Sequence, residues 1–165
     1  MKNAKWIAPC LALCFLGAVP VDNPPPMKEG LWEIHTKTIE IPSKQTTERS
    51  EKLCRSHAYD DYVHAAAQKR ERNCKTISKT TTNNVTTTET ACTVEDTVIR
   101  SKGTLTMTGD TAARTEGTAT YTPPMAGKTG MTMLSEQKYI GPCPADMQPG
   151  DAVDADGKKT SHWKH

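Results

Sequence analysis

Large apolar side chains are scarce in this chain. Of its 165 residues only 5% are aromatic, and the single phenylalanine, Phe15, lies near the N-terminus. Hydrophobic residues make up 35%, which excludes a polytopic membrane protein. No two cysteines have the Cys-x-x-Cys spacing, so the usual signatures of zinc and thioredoxin-type redox sites are missing. There is no Gly-x-Ser-x-Gly elbow and no glycine-rich phosphate loop after a strand. Neither sign of charge dominates. Once Lys2 and Lys5 are set aside with the segment described next, basic and acidic residues number 19 each. A neutral domain has no bulk electrostatic reason to bind nucleic acid or an anionic membrane. Threonine is what the chain has in excess, at 25 residues. Its β-branched side chain suits a half-buried pleated surface.

Residues 1–21 read as a signal peptide. Lys2 and Lys5 form a positive n-region, and an apolar stretch runs from Trp6 to Val19. That is shorter than the roughly 20 apolar residues of a membrane span. An uncleaved inner-membrane anchor is the alternative use of the segment. Residues 22–29 form a Pro-rich linker, residues 30–150 a disulfide-containing β domain, and residues 151–165 a polar tail. The expected destination is the periplasm or the medium.

Past the signal segment the cysteines are Cys54, Cys74, Cys92 and Cys143. An even count in an exported chain predicts two disulfides. Thr82-Asn83-Asn84 interrupts two threonine-rich runs, and asparagine tolerates the left-handed conformation of tight hairpins. With a three-residue loop Thr81 faces Val85, and counting back sets Cys74 opposite Cys92. Cys54 is left to pair with Cys143. A two-residue loop would slip this register by one.

The pattern predicts a mainly β (α+β) fold: an antiparallel meander, able to curl toward a barrel, with one helix inserted after the first strand. That strand is Leu31 to Ile41. Trp32 and Ile34 share one side, while Ile39 and Ile41 have the opposite parity, which predicts a bulge or a change of face near Thr38. Pro42 to Arg49 reads as a polar loop. Ser56 to Arg72 is the helix, capped by Ser56 and carrying a stripe of Tyr59, Tyr62, Val63, Ala66 and Ala67 toward the sheet. Farther on, Leu105 and Met107, then Ala119 and Tyr121, then Met131 and Met133 alternate with polar residues, mostly threonines. Pro123-Pro124 and Gly127 to Gly130 read as strand breaks.

The ordered set Gly30-Leu31-Trp32-Glu33, the Cys74 to Cys92 hairpin, Gly109-Asp110, Gly130-Met131-Thr132-Met133 and Tyr139 to Met147 (YIGPCPADM) resembles a family of exported bacterial proteins. It is the domain-of-unknown-function family numbered thirty-six seventeen. The resemblance covers about residues 27–157 and implies a secreted, mostly β, disulfide-containing domain. It implies no activity. One departure is Gly117, before which relatives often carry an aromatic residue.

The residues offer little chemistry. His57 and His64 are two helical turns apart, whereas a shared metal is better served by i and i+4 spacing. His162 and His165 lie in the polar tail. Asp154-Ala155-Asp156-Gly157 invites a calcium loop, but the template then places Ala152 and Trp163 where carboxylates are required. Lys69 to Arg72 with Lys75 is a charged helix end without interleaved aromatics. No catalytic, metal or cofactor residue is assigned. The expectation is a non-enzymatic binding or interaction module, with a carrier of an apolar small molecule or lipid as the alternative and a hydrolase behind it. The residues identify no partner; an envelope protein or an apolar ligand is the expectation rather than nucleic acid, and the mature chain is expected to have no stable membrane span. Leu105, Met107, Tyr121, Met131 and Met133 are the candidate apolar groove.

Overall fold

A computed structural model describes residues 26–70 and 73–163, so the segment read as a signal peptide lies outside the described residues. In chain order the elements are β1 (Gly30–Ile41), β2 (Thr46–Arg55), α1 (His57–Arg70), β3 (Cys74–Thr82), β4 (Val85–Val94), β5 (Thr97–Thr108), β6 (Ala112–Met125), β7 (Lys128–Gly141), β8 (Asp151–Asp154) and β9 (Lys159–Ser161). The strands make one antiparallel sheet in the order β3-β4-β5-β6-β7-β1-β2-β8-β9. It is open, with β3 and β9 as its edges.

The helix follows the second strand, which corrects its expected place after the first. Thr46 to Arg49, expected as loop, opens β2. Nothing apolar marks those residues, yet β1 supplies a ladder for them, with Lys37 opposite Glu48 and their charges 2.7 Å apart. Strand β1 has no bulge at Thr38. Its irregularity against β7 falls between Leu31 and Trp32. The strand simply carries apolar residues on both faces.

The β3–β4 hairpin turns through two residues, Asn83 and Asn84, with Thr82 opposite Val85. Asn83 takes a φ of 54°, as the turn requires. The register that results is one residue off the expected one. A bulge at Ile77 then restores it, so that Cys74 stands opposite Cys92. Both Cys74–Cys92 and Cys54–Cys143 stand at disulfide distance. Likewise β6 runs through Pro123 and Pro124, where the ladder to β7 is interrupted between Thr120 and Met125. Prolines that lack an amide donor are accommodated in such a gap.

The C-terminal residues, expected as a loose tail, extend the sheet. Strand β8 pairs with β2 through Leu53 opposite Ala152, and β9 pairs with β8. Asp154 closes their turn by accepting the amide N–H groups of Asp156 and Lys158. Asp151 accepts the Gln148 amide and faces Lys159 at 3.0 Å. These contacts hold its carboxyl below the ordinary carboxylate range, led by the backbone hydrogen bond. A depressed carboxylate stabilises the fold above its unfolded value of about 3.9 and loses that contribution as pH falls through the folded value. Urea melts from pH 7 down to pH 2 are therefore expected to show Asp151→Asn less stable at neutral pH and less acid-sensitive than the wild type.

The core sits at the β1–β2–β8 end. Leu53, Tyr59 and Ala152 are buried together, with Ile34 and Trp163 packed on them. Ser56 caps α1 by accepting the Tyr59 amide, and Glu29 accepts the His57 amide. Arg55 joins helix to sheet: it donates to Asp60 and to Gln137, and it lies over the Trp32 ring.

The connection from β2 to β3 crosses the whole sheet, because these strands are separated by β1, β7, β6, β5 and β4. Arg55 and Cys74 also sit at opposite ends of their strands. On a flat sheet they would be roughly 50 Å apart, from strand spacing and rise. A 14-residue helix with its flanking residues reaches at most about 42 Å. A flat sheet is therefore too wide for this connection, and the strands must twist across it.

Candidate functional site

Residues directly opposite one another in an antiparallel ladder share a face. The ladders join Met107 to Ala113 to Gln137 to Ile34, and Ile99 to Tyr121. They also join Gly103 to Gly117 to Met133 to Thr38, and Ala119 to Met131. Leu105, Met107, Tyr121, Met131 and Met133, the candidate groove, thus lie on one face, the face of Trp32 and of the core. Met107 is only 4% exposed, and the other four are half-buried.

That face carries no charge along β5 from Ile99 to Met107, along β6 from Ala113 to Tyr121, or along β7 from Met131 to Tyr139. Arg100, Lys102, Arg114, Glu116, Glu136 and Lys138 all have the other parity. Such segregation is the pattern of a sheet with one side turned away from water. The helix does not complete a packed layer there with its whole stripe, as the sequence suggested. Tyr62 and Val63 remain 46% and 43% exposed. A residue distant in sequence meets part of the stripe instead: Trp163 takes the Tyr59 and Tyr62 rings, at 6.0 Å from each.

Within this face two glycines stand opposite each other, Gly103 and Gly117, in an unbroken register. A Cβ on either meets nothing nearer than 3.6 Å. With Ser101 and Ala119 beside them they make a floor of small residues flanked by Met131 and Met133. The sequence reading passed over this pair. A two-residue Gly109-Asp110 turn would set Gly103 opposite Glu116, but the turn holds a third residue, Thr111, so Thr108 faces Ala112 and Gly103 faces Gly117.

A protein-family comparison places residues 27–143 in the family described as a protein of unknown function, DUF3617. The chain belongs to the DUF3617 family. The matched stretch holds the apolar face, Gly103 and Gly117, and Cys54, Cys74, Cys92 and Cys143, while β8, β9 and Trp163 follow it. No curated protein matches the chain.

Two shallow cavities of the DUF3617 sheet lie mainly on the charged face. One, about 450 Å³, is lined by Lys37, Ile39, Lys102, Glu116 and Leu134 among others. The second, about 390 Å³, is lined by Glu33, His35, Arg114 and Glu136 among others. Their charges are largely paired with one another. Arg114 bonds both Glu116 and Glu136, which holds the Glu116 carboxyl below its ordinary range. Lys37 and Lys102 pair with Glu48 and Glu89. Among the described residues no group of three or more His, Cys, Asp or Glu is placed to hold a metal ion. His57 meets the Met27 carbonyl and His35 meets Ser50. His165 lies outside the described residues. Asp154, singled out for a calcium loop, spends its carboxylate on the β8–β9 turn.

Proposed function

We propose that this DUF3617 chain is an exported, non-enzymatic binding module that holds an apolar partner on the uncharged face of its sheet. The observation that carries this reading is the segregation of charge across β5, β6 and β7, with Leu105, Tyr121, Met131 and Met133 left only half-buried. A half-covered apolar face is stabilised by an apolar partner, and thioether side chains repack around different shapes. The floor at Gly103 and Gly117 favours the carrier form of this reading, with a small apolar molecule or lipid as occupant, since it leaves space at the centre of the face. Export is supported by the n-region and short apolar stretch ahead of the domain, together with two cysteine pairs at disulfide distance. Among the described residues no helix is long and apolar enough to cross a membrane.

The test is native mass spectrometry of the protein recovered from the cell envelope. The expected species lacks the N-terminal segment and carries an apolar adduct. Gly117→Val, whose Cβ would stand at ordinary contact distance, 3.6 Å, from the Lys102 carbonyl oxygen, is expected to lose the adduct while keeping the melting temperature. An intact Met1 N-terminus in the cytoplasmic fraction refutes export. An adduct-free wild type that takes up no apolar probe refutes the binding reading.

A further inference from the structure

The uncharged face reaches the open β3 edge of the sheet, and a single cation stands on it there. Strand β3 sets Lys79 opposite Thr88 and Thr81 opposite Thr86. The Thr81 and Thr86 hydroxyls meet at 3.1 Å, so these side chains share a face. Lys79, two residues from Thr81, shares it too. The ladders carry the row inward from Lys79 to Thr88, Gly103, Gly117 and Met133. The bulge at Ile77 is what turns the lysine this way. Lys75, ahead of the bulge, stands opposite Ala91 on the charged face, and without the extra residue Lys79 would follow it there.

On β4 this face bears Thr86, Thr88 and Thr90, and on β5, β6 and β7 it is the uncharged face described above. Lys79 is exposed and forms no ion pair among the described residues, whereas Lys37, Lys102 and Lys128 do. At the far end of the face the Glu40 carboxylate, opposite Met131, is bonded to Lys128. An anionic group is therefore drawn to the β3 end and not to the β1 end.

The row between them has a definite length. From β4 to β7 it spans three strand spacings, roughly 14 Å. One leaflet of a bilayer, half of a hydrocarbon core of about 30 Å, is one acyl chain deep. Gly103 and Gly117 leave the middle of the row without side chains, with Leu105 on one side and Ala119 and Met131 on the other. We infer that the occupant is a long-chain fatty acid, its carboxylate on Lys79 and its chain laid across β4 to β7, an assignment that rests on the apolar-binding role proposed above. The Lys79 ammonium and the Thr88 hydroxyl next to it in the row match the two oxygens of one carboxylate.

Fluorescence titration of the full chain with cis-parinaric acid and with its methyl ester separates the head group from the chain. The wild type is expected to bind both, the acid about threefold tighter, the scale of an exposed ion pair. Lys79→Glu turns that attraction into repulsion and is expected to weaken acid binding about tenfold, with the ester unchanged. Lys79→Arg is expected to keep the preference for the acid. Lys75→Glu, the same change of net charge on the other face of β3, is expected to behave as the wild type. Palmitate is expected to displace the bound acid. Equal affinity of the wild type for acid and ester, or a Lys79→Glu variant that still prefers the acid, overturns the fatty-acid assignment and leaves the apolar-binding role standing. So does a Lys75→Glu variant that loses the preference as fully as Lys79→Glu, because net charge and not position would then be responsible. Displacement by an anionic lysophospholipid and not by palmitate overturns the fatty acid in favour of the larger head group. If neither acid nor ester binds, the apolar-binding role fails and the assignment fails with it.

Discussion

Trp32→Ala is expected to lower stability by about 3–5 kcal/mol, the range for removing a large buried aromatic. Trp32 is fully buried, and with Cys54 it is among the largest side chains in that state among the described residues. Its Nε1–H donates to the Lys28 carbonyl at 2.8 Å, so the ring also ties down the segment before β1. Tyr139 meets it edge-on at 6.1 Å, and the Arg55 guanidinium lies over its face. The substitution leaves a cavity and removes the surface that orients Arg55 toward Asp60 and Gln137. A chain with so few aromatics has no spare bulk to refill the space. Against a usual total of about 5–15 kcal/mol, the variant is expected to unfold at a much lower urea midpoint than the wild type. A loss below about 1 kcal/mol would show that this core collapses around the gap.

Removal of the long-range bridge is the other large effect. Cys54 and Cys143 are separated by 89 residues. Chain-entropy arithmetic for a closed loop of that length gives about 4–5 kcal/mol. Cys54 is a fully buried residue of strand β2, so Cys54→Ser adds the burial of a hydroxyl. Cys54→Ala with Cys143→Ala is the cleaner pair, and it is expected to lower the urea midpoint more than Cys74→Ala with Cys92→Ala. The latter closes a loop with a separation of only 18 and lies in a hairpin whose strands already pair. Equal losses from the two pairs would show that the denatured chain gains little from the longer bridge.

The hairpins of the meander were legible because their signals are local. Alternation at β5, β6 and β7 put Leu105, Met107, Tyr121, Met131 and Met133 on one parity, and the ladders join those parities on one face. The cysteine pairing was legible for the same reason, although by compensation. The turn at Asn83 and Asn84 is one residue shorter than the count assumed, and the bulge at Ile77 offsets the error. Bulges leave no period to read. Strand β2 was missed because charged and threonine side chains give a water-facing strand no apolar rhythm. Its ladder with β1 comes from backbone groups that every residue has.

For the candidate site, the sequence by itself determined which residues share a parity, where the charges segregate and which residue types line the apolar face. Those properties follow from the two-residue repeat of an extended chain, which acts over a few residues at a time. Only the tertiary structure decided that β8 and β9 extend the sheet, that α1 leaves from β2 and crosses to β3, and that Gly103 faces Gly117 at the centre of the apolar face. It alone brought Trp163 onto Tyr59 and Tyr62. These contacts join positions far apart in the chain. Their stability comes from burial and register across the sheet, and no local period encodes which distant side chain will fill a given gap.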